Sequence, residues 1–313
     1  MRWASGSTGR PTANPKTWGS LLASARLNAT VLHSVLADQG ATGTPWILAT
    51  VPSQHMYGME TAVLLPLLAG MGLHFAQPLF PADIASALAE LPEPRILVTT
   101  PVHLRAVLES NIDLPPLAVV VSATAPLAAE MAQRVEQRYG AALVEFFGST
   151  ETCVIASRRA AHEAAWRPYP GVSLRPTAAG TEVDAPWFAA PTLLQDVLEI
   201  GADGTFVVRG RNADMVEVGG KRASLADLTR RLLAVPGVRD GVVFQPDRAD
   251  GAAVQRLAAL VVAEGLSEAA VLEQLAPGMD PVFLPRPLVF VSRLPRNEVG
   301  KLPREQLLAA LER

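Results

Sequence analysis

The sequence predicts an α/β protein of two domains, a helix-covered and mostly parallel sheet that leads into a β-rich module, followed by a small α+β domain. Three observations carry this. Five short apolar runs alternate with helical stretches over the first half of the chain, the pattern of strands buried on both faces and covered by helices. Past residue 160 the pattern changes, and Pro168, Pro170, Pro176, Pro186 and Pro191 separate short segments. The length of 313 residues corresponds to roughly two domains at about 150 residues each.

Along the chain, Trp18, Leu21, Leu22, Ala25, Ala29, Leu32 and Leu36 follow helical spacing and predict an amphipathic helix over Thr17 to Asp38. Strands are expected at Trp46 to Val51, Leu73 to Ala76, Arg95 to Thr99, Ala118 to Ser122 and Leu143 to Phe147. The Asp203-Gly204 pair predicts a tight turn before a strand at Thr205 to Arg209. The last hundred residues alternate strands at Gly241 to Gln245, Leu257 to Ala263 and Leu288 to Val291 with helices near Leu225 to Ala234 and Ser267 to Leu275. The expected domains are therefore 1–210 and 211–313.

Composition narrows the function classes. The chain carries 27 basic against 30 acidic residues, with 49% hydrophobic and only 18% charged, which argues against disorder and against nucleic acid as the main partner. Cut after Gly210, it has 13 basic and 17 acidic residues before and 14 and 13 after, so neither part is a charged tail. One cysteine, Cys153, cannot form an internal disulfide and suits a reducing cytoplasm and a buried apolar role. The oily stretch from Ala62 to Ala76 is broken by Pro66, Gly70, Gly72 and His74, so no membrane span is expected. His33, His74, His103 and His162 lack metal-ligand spacing.

Four segments offer chemistry. Ser5-Gly6-Ser7-Thr8-Gly9 is a run of small and hydroxyl residues expected immediately before a helix, where backbone N–H groups and the helix dipole hold phosphate oxygens; alone, it reads more readily as a flexible loop. Glu145-Phe146-Phe147-Gly148-Ser149-Thr150-Glu151 falls at the carboxyl end of an expected strand, where α/β sheets bind ligands. There an aromatic ring can stack on a base, a hydroxyl can meet a phosphate and a carboxylate can hold Mg²⁺; the alternative is a Gly turn and a helix cap. Gly210-Arg211-Asn212-Ala213-Asp214 with Gly219-Gly220-Lys221-Arg222, and Pro295-Arg296-Asn297-Glu298-Val299-Gly300-Lys301, place cations on glycine-bearing loops, able to neutralise developing negative charge; taken singly, each reads more often as a solvated surface loop.

Read together and in order, these segments resemble the adenylate-forming superfamily of acyl- and aryl-CoA synthetases and related AMP-producing ligases. Ser5 to Gly9 is similar to its phosphate loop, with Thr12 at the usual lysine position and Lys16 four residues on. Val51 to Gly58 resembles its histidine segment, which implies His55 and Gly58 beside an acyl pocket. Ser122-Ala123-Thr124-Ala125-Pro126 resembles its adenine-side loop, and Phe147-Gly148-Ser149-Thr150-Glu151 its aromatic-Gly-x-Thr-Glu motif.

The resemblance implies that Asp196 binds ribose, that Arg211 enters a hinge, that Gly220 and Arg222 line the thiol side, and that Lys301 is a mobile catalytic lysine. It implies catalytic roles for Thr150 and Glu151, with Mg²⁺ on Glu151. The implied reaction activates a small carboxylic acid with ATP as acyl-AMP and passes it to coenzyme A or to the phosphopantetheine of an acyl carrier protein. The stretch from Gly9-Arg10-Pro11 to Lys16-Thr17-Trp18 resembles bacterial ligases that load aryl or medium acyl groups onto carriers.

Family members carry a long segment ahead of the phosphate loop, so the resemblance implies a large domain whose first part is missing from this sequence. A non-catalytic fragment or partner-binding remnant of such a ligase is the alternative, and uncovered apolar surface is then expected.

Overall fold

The computed structural model describes residues 2–5, 12–177, 179–211, 215–246, 256–296 and 302–311, with the main chain alone for 2–5, 12, 211, 222 and 278. By compactness the chain divides into two units. One takes Met1–Arg175, Glu182–Leu194 and Ile200–Val207, and the other takes Pro176–Thr181, Gln195–Glu199 and Val208–Arg313.

The first unit opens with a hairpin of β1 (Arg2–Ser5) and β2 (Thr12–Pro15), in which Ser5 pairs with Thr12. Helix α1 (Trp18–Asp38) follows, and the Thr17 hydroxyl caps it by accepting from the Ser20 N–H at 3.0 Å. Leu21, Ala25, Ala29, Leu32 and Leu36 are buried as the spacing predicts, whereas Trp18 is 57% exposed because it stands in the first turn, ahead of the packed face. Ser20, Ser24 and Asn28 are also buried on this helix, a polar stripe at intervals of four.

The main sheet contains β3 (Trp46–Ala49), β4 (Gly72–Leu73), β5 (Arg95–Thr99), β6 (Val119–Ser122), β7 (Ala142–Ser149), β8 (Cys153–Arg158) and β9 (Arg167–Pro168). Its order is β4-β3-β5-β6-β7-β8-β9. The pairs from β4 to β7 are parallel, and β8 and β9 are antiparallel additions.

Successive residues of each parallel strand feed opposite cores. Ile47, Ile96, Val98, Val119, Val121 and Val144 pack with α1, whereas Leu48, Leu97, Val120 and Leu143 face α4 (Pro81–Ala89), α5 (Pro101–Ser110) and α6 (Ala129–Tyr139). The crossover after β3 is α2 (Met56–Met59), a π-helical turn at Glu60–Leu64 and α3 (Leu65–Ala69). The strand expected at Leu73 to Ala76 shrinks to Gly72–Leu73: it lies at the sheet edge, Phe75 is 90% exposed, and among the described residues no second neighbour continues the ladder.

Short strands β10 (Ser173–Thr177), β11 (Gly180–Asp184), β12 (Thr192–Leu194), β13 (Asp196–Ile200) and β14 (Phe206–Arg211) follow. In the second unit β15 (Met215–Val218) and β16 (Lys221–Ser224) form a hairpin. Its turn is Gly219-Gly220, both at positive φ, +59° and +77°, a conformation that glycine adopts without strain. A three-stranded sheet of β17 (Val238–Phe244), β18 (Ala258–Ala263) and β19 (Leu288–Phe290) is packed with α7 (Leu225–Leu233), α8 (Glu268–Leu275) and α9 (Arg304–Leu311). Ala259 and Val261 join the core with α7 and α8, and Ala258, Leu260 and Val262 the core with α9. Among the described residues no helix is long and apolar enough to cross a membrane.

Candidate active site

The carboxyl ends of the parallel strands gather the first-unit candidates. At the end of β6, Ser122 pairs in register with Thr99 of β5 and Glu145 of β7. Ser122 is fully buried, and its hydroxyl finds no partner among the described residues, an uncommon state for a buried polar group. Ala123 is buried beside it, Thr124 is exposed with a positive φ of 78°, Ala125 is half-buried and Pro126 is exposed. Beneath them, the Tyr57 hydroxyl donates to the carbonyls of Thr99 at 3.2 Å and Val121 at 3.1 Å, pinning the ends of β5 and β6 together.

Glu145 is buried and paired with Arg158, the guanidinium Nη2 lying 2.6 Å from the carboxylate. Burial outweighs this attraction and pushes the carboxyl up to about 7. Arg158 in turn lies 4.4 Å over the Trp166 ring. Phe147 is half-buried, and its ring packs on Trp166 at 5.2 Å and on Phe206 at 5.3 Å.

β7 then turns back into β8 instead of leading to a helix, so the alternative reading of a Gly turn with a helix cap does not hold and the residues make a hairpin turn. Gly148 sits at an irregularity in that hairpin, where a Cβ would come 2.1 Å from the Cys153 carbonyl oxygen. Only glycine admits so close an approach. The Ser149 hydroxyl accepts from the N–H groups of Glu151 at 3.1 Å and Thr152 at 3.2 Å, and the Thr152 hydroxyl accepts from the Ser149 N–H at 3.1 Å and donates to the Cys153 carbonyl at 2.8 Å. These bonds fix the turn and leave Thr150 and Glu151 half-exposed. Cys153 is buried as expected, but in the left-handed region at φ 63°.

The Lys16 ammonium donates to the carbonyl of Glu151, so the stem of the first hairpin reaches the Thr150–Glu151 turn. The helix-dipole argument for the Ser5 to Gly9 run does not hold, because β2 intervenes and the helix begins only at Trp18. The run instead starts at the end of β1. Ser5 is described by its main chain, and Gly6, Ser7, Thr8 and Gly9 lie outside the described residues. His55 is exposed at the N-cap of α2, and a Cβ on Gly58 would come 2.1 Å from the Pro52 carbonyl, so the segment is wound tightly at that point.

The remaining candidates belong to the second unit. Asp196 is 8% exposed, and its carbonyl accepts from the Thr181 hydroxyl at 3.0 Å. Arg211 closes β14, with only its main chain described. Beside it a Cβ on Gly210 would fall 1.8 Å from the Ser224 hydroxyl oxygen, the group that caps α7. Gly220 is exposed in the β15–β16 turn, and Arg222 pairs with Glu217 through the main chain. Lys301 lies outside the described residues.

Glu60 and Tyr57 escaped the sequence reading, as did a chain from His103 Nδ1 to the Thr50 hydroxyl at 2.7 Å and on to that of Thr99 at 2.9 Å. The buried stripe Ser20, Ser24, Asn28 was the available signal for Glu60, since polar residues on an apolar helix face require a partner. No group of three or more His, Cys, Asp or Glu suited to a metal occurs among the described residues. One carboxylate nonetheless fits Mg²⁺ held mainly by substrate phosphates and water.

Residues 1–185 match the family model described as AMP-binding enzyme. The 4-coumarate-CoA ligase of Rhodobacter capsulatus is 33% identical over 303 residues, which cover 95% of this chain and 73% of that protein. The indoleacetate-CoA ligase of Aromatoleum aromaticum is 27% identical, covering 97% of this chain and 66% of that protein. Among solved structures, ATP-bound MatB from Rhodopseudomonas palustris superposes with a TM-score of 0.79 at 23% identity, covering 99% of this chain and 67% of that one. The AMP complex of O-succinylbenzoate coenzyme A synthetase from Bacillus subtilis gives a TM-score of 0.80 at 19% identity, covering 98% and 68%. The chain thus spans about two thirds to three quarters of the length of these proteins.

Proposed function

The chain belongs to the AMP-binding enzyme family, and from that membership we propose that it activates a carboxylic acid with ATP as acyl-AMP and then transfers the acyl group to a thiol. The observation that carries this reading is the meeting of the Lys16 stem with the Thr150–Glu151 turn, on the same sheet whose β6 ends in the buried hydroxyl of Ser122, unpartnered among the described residues. A nucleotide brings phosphate oxygens and a purine edge, and these residues offer hydroxyl donors, main-chain groups and one carboxylate to meet them.

In the first half-reaction a carboxylate oxygen of the acid attacks the α-phosphorus of ATP, and the bond to pyrophosphate breaks. In the second, the thiol sulfur attacks the acyl carbon, AMP departs, and the thiol proton passes to solvent. Charge accumulates on the phosphate oxygens in the first step, so preorganised donors lower its barrier. In this reading Ser5, Gly6, Ser7, Thr8 and Gly9 cradle the pyrophosphate end and Thr150 meets the α-phosphate. Residues 122–126 and 147–149 border the adenine, and Asp196 and Arg211 hold the ribose.

Mg²⁺ carried by the phosphates would be held by Glu151, where it supplies charge neutralisation. Lys301 bridges acid and nucleotide, His55 and Gly58 border the acyl group, and Gly220 and Arg222 serve the thiol side. The acceptor is coenzyme A, the substrate in the names of the relatives, or the same thiol arm on an acyl carrier protein. A reducing cytoplasm is the compartment inferred for the reaction, and the free, buried Cys153 supports that reading.

ATP–pyrophosphate exchange with a panel of aryl and medium-chain acids tests the reading, and comparing coenzyme A with a loaded carrier in the second step identifies the acceptor. Lys301→Ala is expected to slow exchange by about a hundredfold or more, the usual cost of one transition-state donor. Undiminished exchange would remove Lys301 from the mechanism.

A further inference from the structure

Glu60 is 1% exposed, yet it carries a carboxyl group. Its Oε1 accepts from the Ser24 hydroxyl, from Asn28 Nδ2 at 3.4 Å and from the Val154 N–H at 3.0 Å, and Oε2 lies 3.2 Å from the same N–H. The Asn28 side-chain oxygen accepts from the buried Tyr169 hydroxyl at 2.8 Å. An acid is costly to bury unless its oxygens are satisfied, and the donors here come from α1 and from the start of β8. Glu60 also begins the π-helical turn, a distortion that recurs at functional positions.

What this cluster grips is specific. Val154 follows Cys153, whose left-handed backbone closes the turn carrying Thr150 and Glu151. On the other side the Lys16 ammonium donates to the Glu151 carbonyl. Burial pushes the Glu60 carboxyl up, while its bonds from Ser24, Val154 and Asn28, and then the Lys16 charge, draw it back.

We propose that Glu60 and Lys16 are positioning residues for the nucleotide, forming a bracket of hydrogen bonds that grips the Thr150–Glu151 turn at Val154 and at Glu151 and presets it for the phosphates. This inference rests on the nucleotide reading above and extends it to two residues to which that reading gives no contact with substrate. A carboxyl buried only for packing would be replaceable without consequence for ligands, because an uncharged side chain of similar volume often costs nothing. A bracket acts on ligand affinity through geometry alone, as outer-shell partners do elsewhere, where their loss typically costs about tenfold or more.

The test measures ATP affinity by calorimetry in the presence of Mg²⁺, and separate KM values for ATP and acid in pyrophosphate exchange, for the wild-type chain, Glu60→Gln, Lys16→Met and Lys16→Arg. The bracket predicts ATP affinity and ATP KM worsened by about tenfold in Glu60→Gln and Lys16→Met, an acid KM that is unchanged, and recovery in Lys16→Arg. Should Glu60→Gln not fold, Ser24→Ala removes one of the carboxyl's donors and is expected to shift ATP affinity in the same direction. Unchanged ATP affinity with a lowered melting temperature overturns the bracket and leaves the nucleotide reading standing. Absence of ATP binding by the wild-type chain overturns the nucleotide reading itself, and the bracket with it.

Discussion

Gly148 shows how tightly one position can be set by its neighbours. A methyl group there would overlap the Cys153 carbonyl, and no flexible side chain can yield, because the obstacle is main chain. Gly148→Ala is expected to destabilise the protein by about 1 to 3 kcal/mol, the usual range for overpacking, and to displace Thr150 and Glu151. Urea unfolding and ATP affinity should therefore both fall, and a variant that kept both would show that the turn relaxes freely. Glu145 sets a second constraint. Its carboxyl is pushed up to about 7 from an ordinary 4.5, so between these pH values the folded chain holds a proton that the unfolded chain has released. The stability this group contributes is complete below about 4.5 and is lost as pH rises through about 7. Urea midpoints for wild type and Glu145→Gln are expected to diverge with pH, the wild type losing ground on going from acidic to mildly alkaline solution. Parallel profiles would contradict the burial argument.

At the scale of elements, α1 joins the hairpin stem to the core, and its first turn depends on the Thr17 cap. Thr17→Ala is expected to cost about 1 kcal/mol, read as a lowered melting temperature, and a change within error would mean the helix start is held by Lys16 and the hairpin instead. Elements with strong periodicity were legible in advance. The spacing of α1, the continuous apolar run of β5 at Arg95–Thr99 and the alternating elements of the second unit from α7 to β19 lie within a few residues of expectation. Elements fixed by long-range partners were not. The β1–β2 hairpin has no apolar alternation to announce it, β4 is short and has no second neighbour among the described residues, and Glu60 in the π-helical turn bonds groups 32 to 94 residues away in sequence. The same division holds in the site. Residues in motifs, such as Phe147 to Glu151, were visible in one stretch of sequence, whereas Tyr57, Glu60 and the partner of Lys16 emerge only when distant strands are brought together.

For the whole molecule, a parallel sheet covered on both sides explains why chemistry gathers at one edge of the strands. The strand carboxyl ends are where the layers open, and ligands of such sheets bind there. The first unit builds that opening from β5, β6, β7 and the hairpin stem, and the second unit is a three-stranded sheet with helices on both faces. A nucleotide at this opening is the reading proposed above from family membership. Photolabelling with an azido-adenine analogue of ATP, followed by peptide mapping, tests this most directly. The account predicts label on peptides spanning residues 122–126 and 147–151, suppressed by excess ATP. Label confined to the open cleft between α1 and α3, near Arg26 and His33, with those two peptides unmodified, would contradict it.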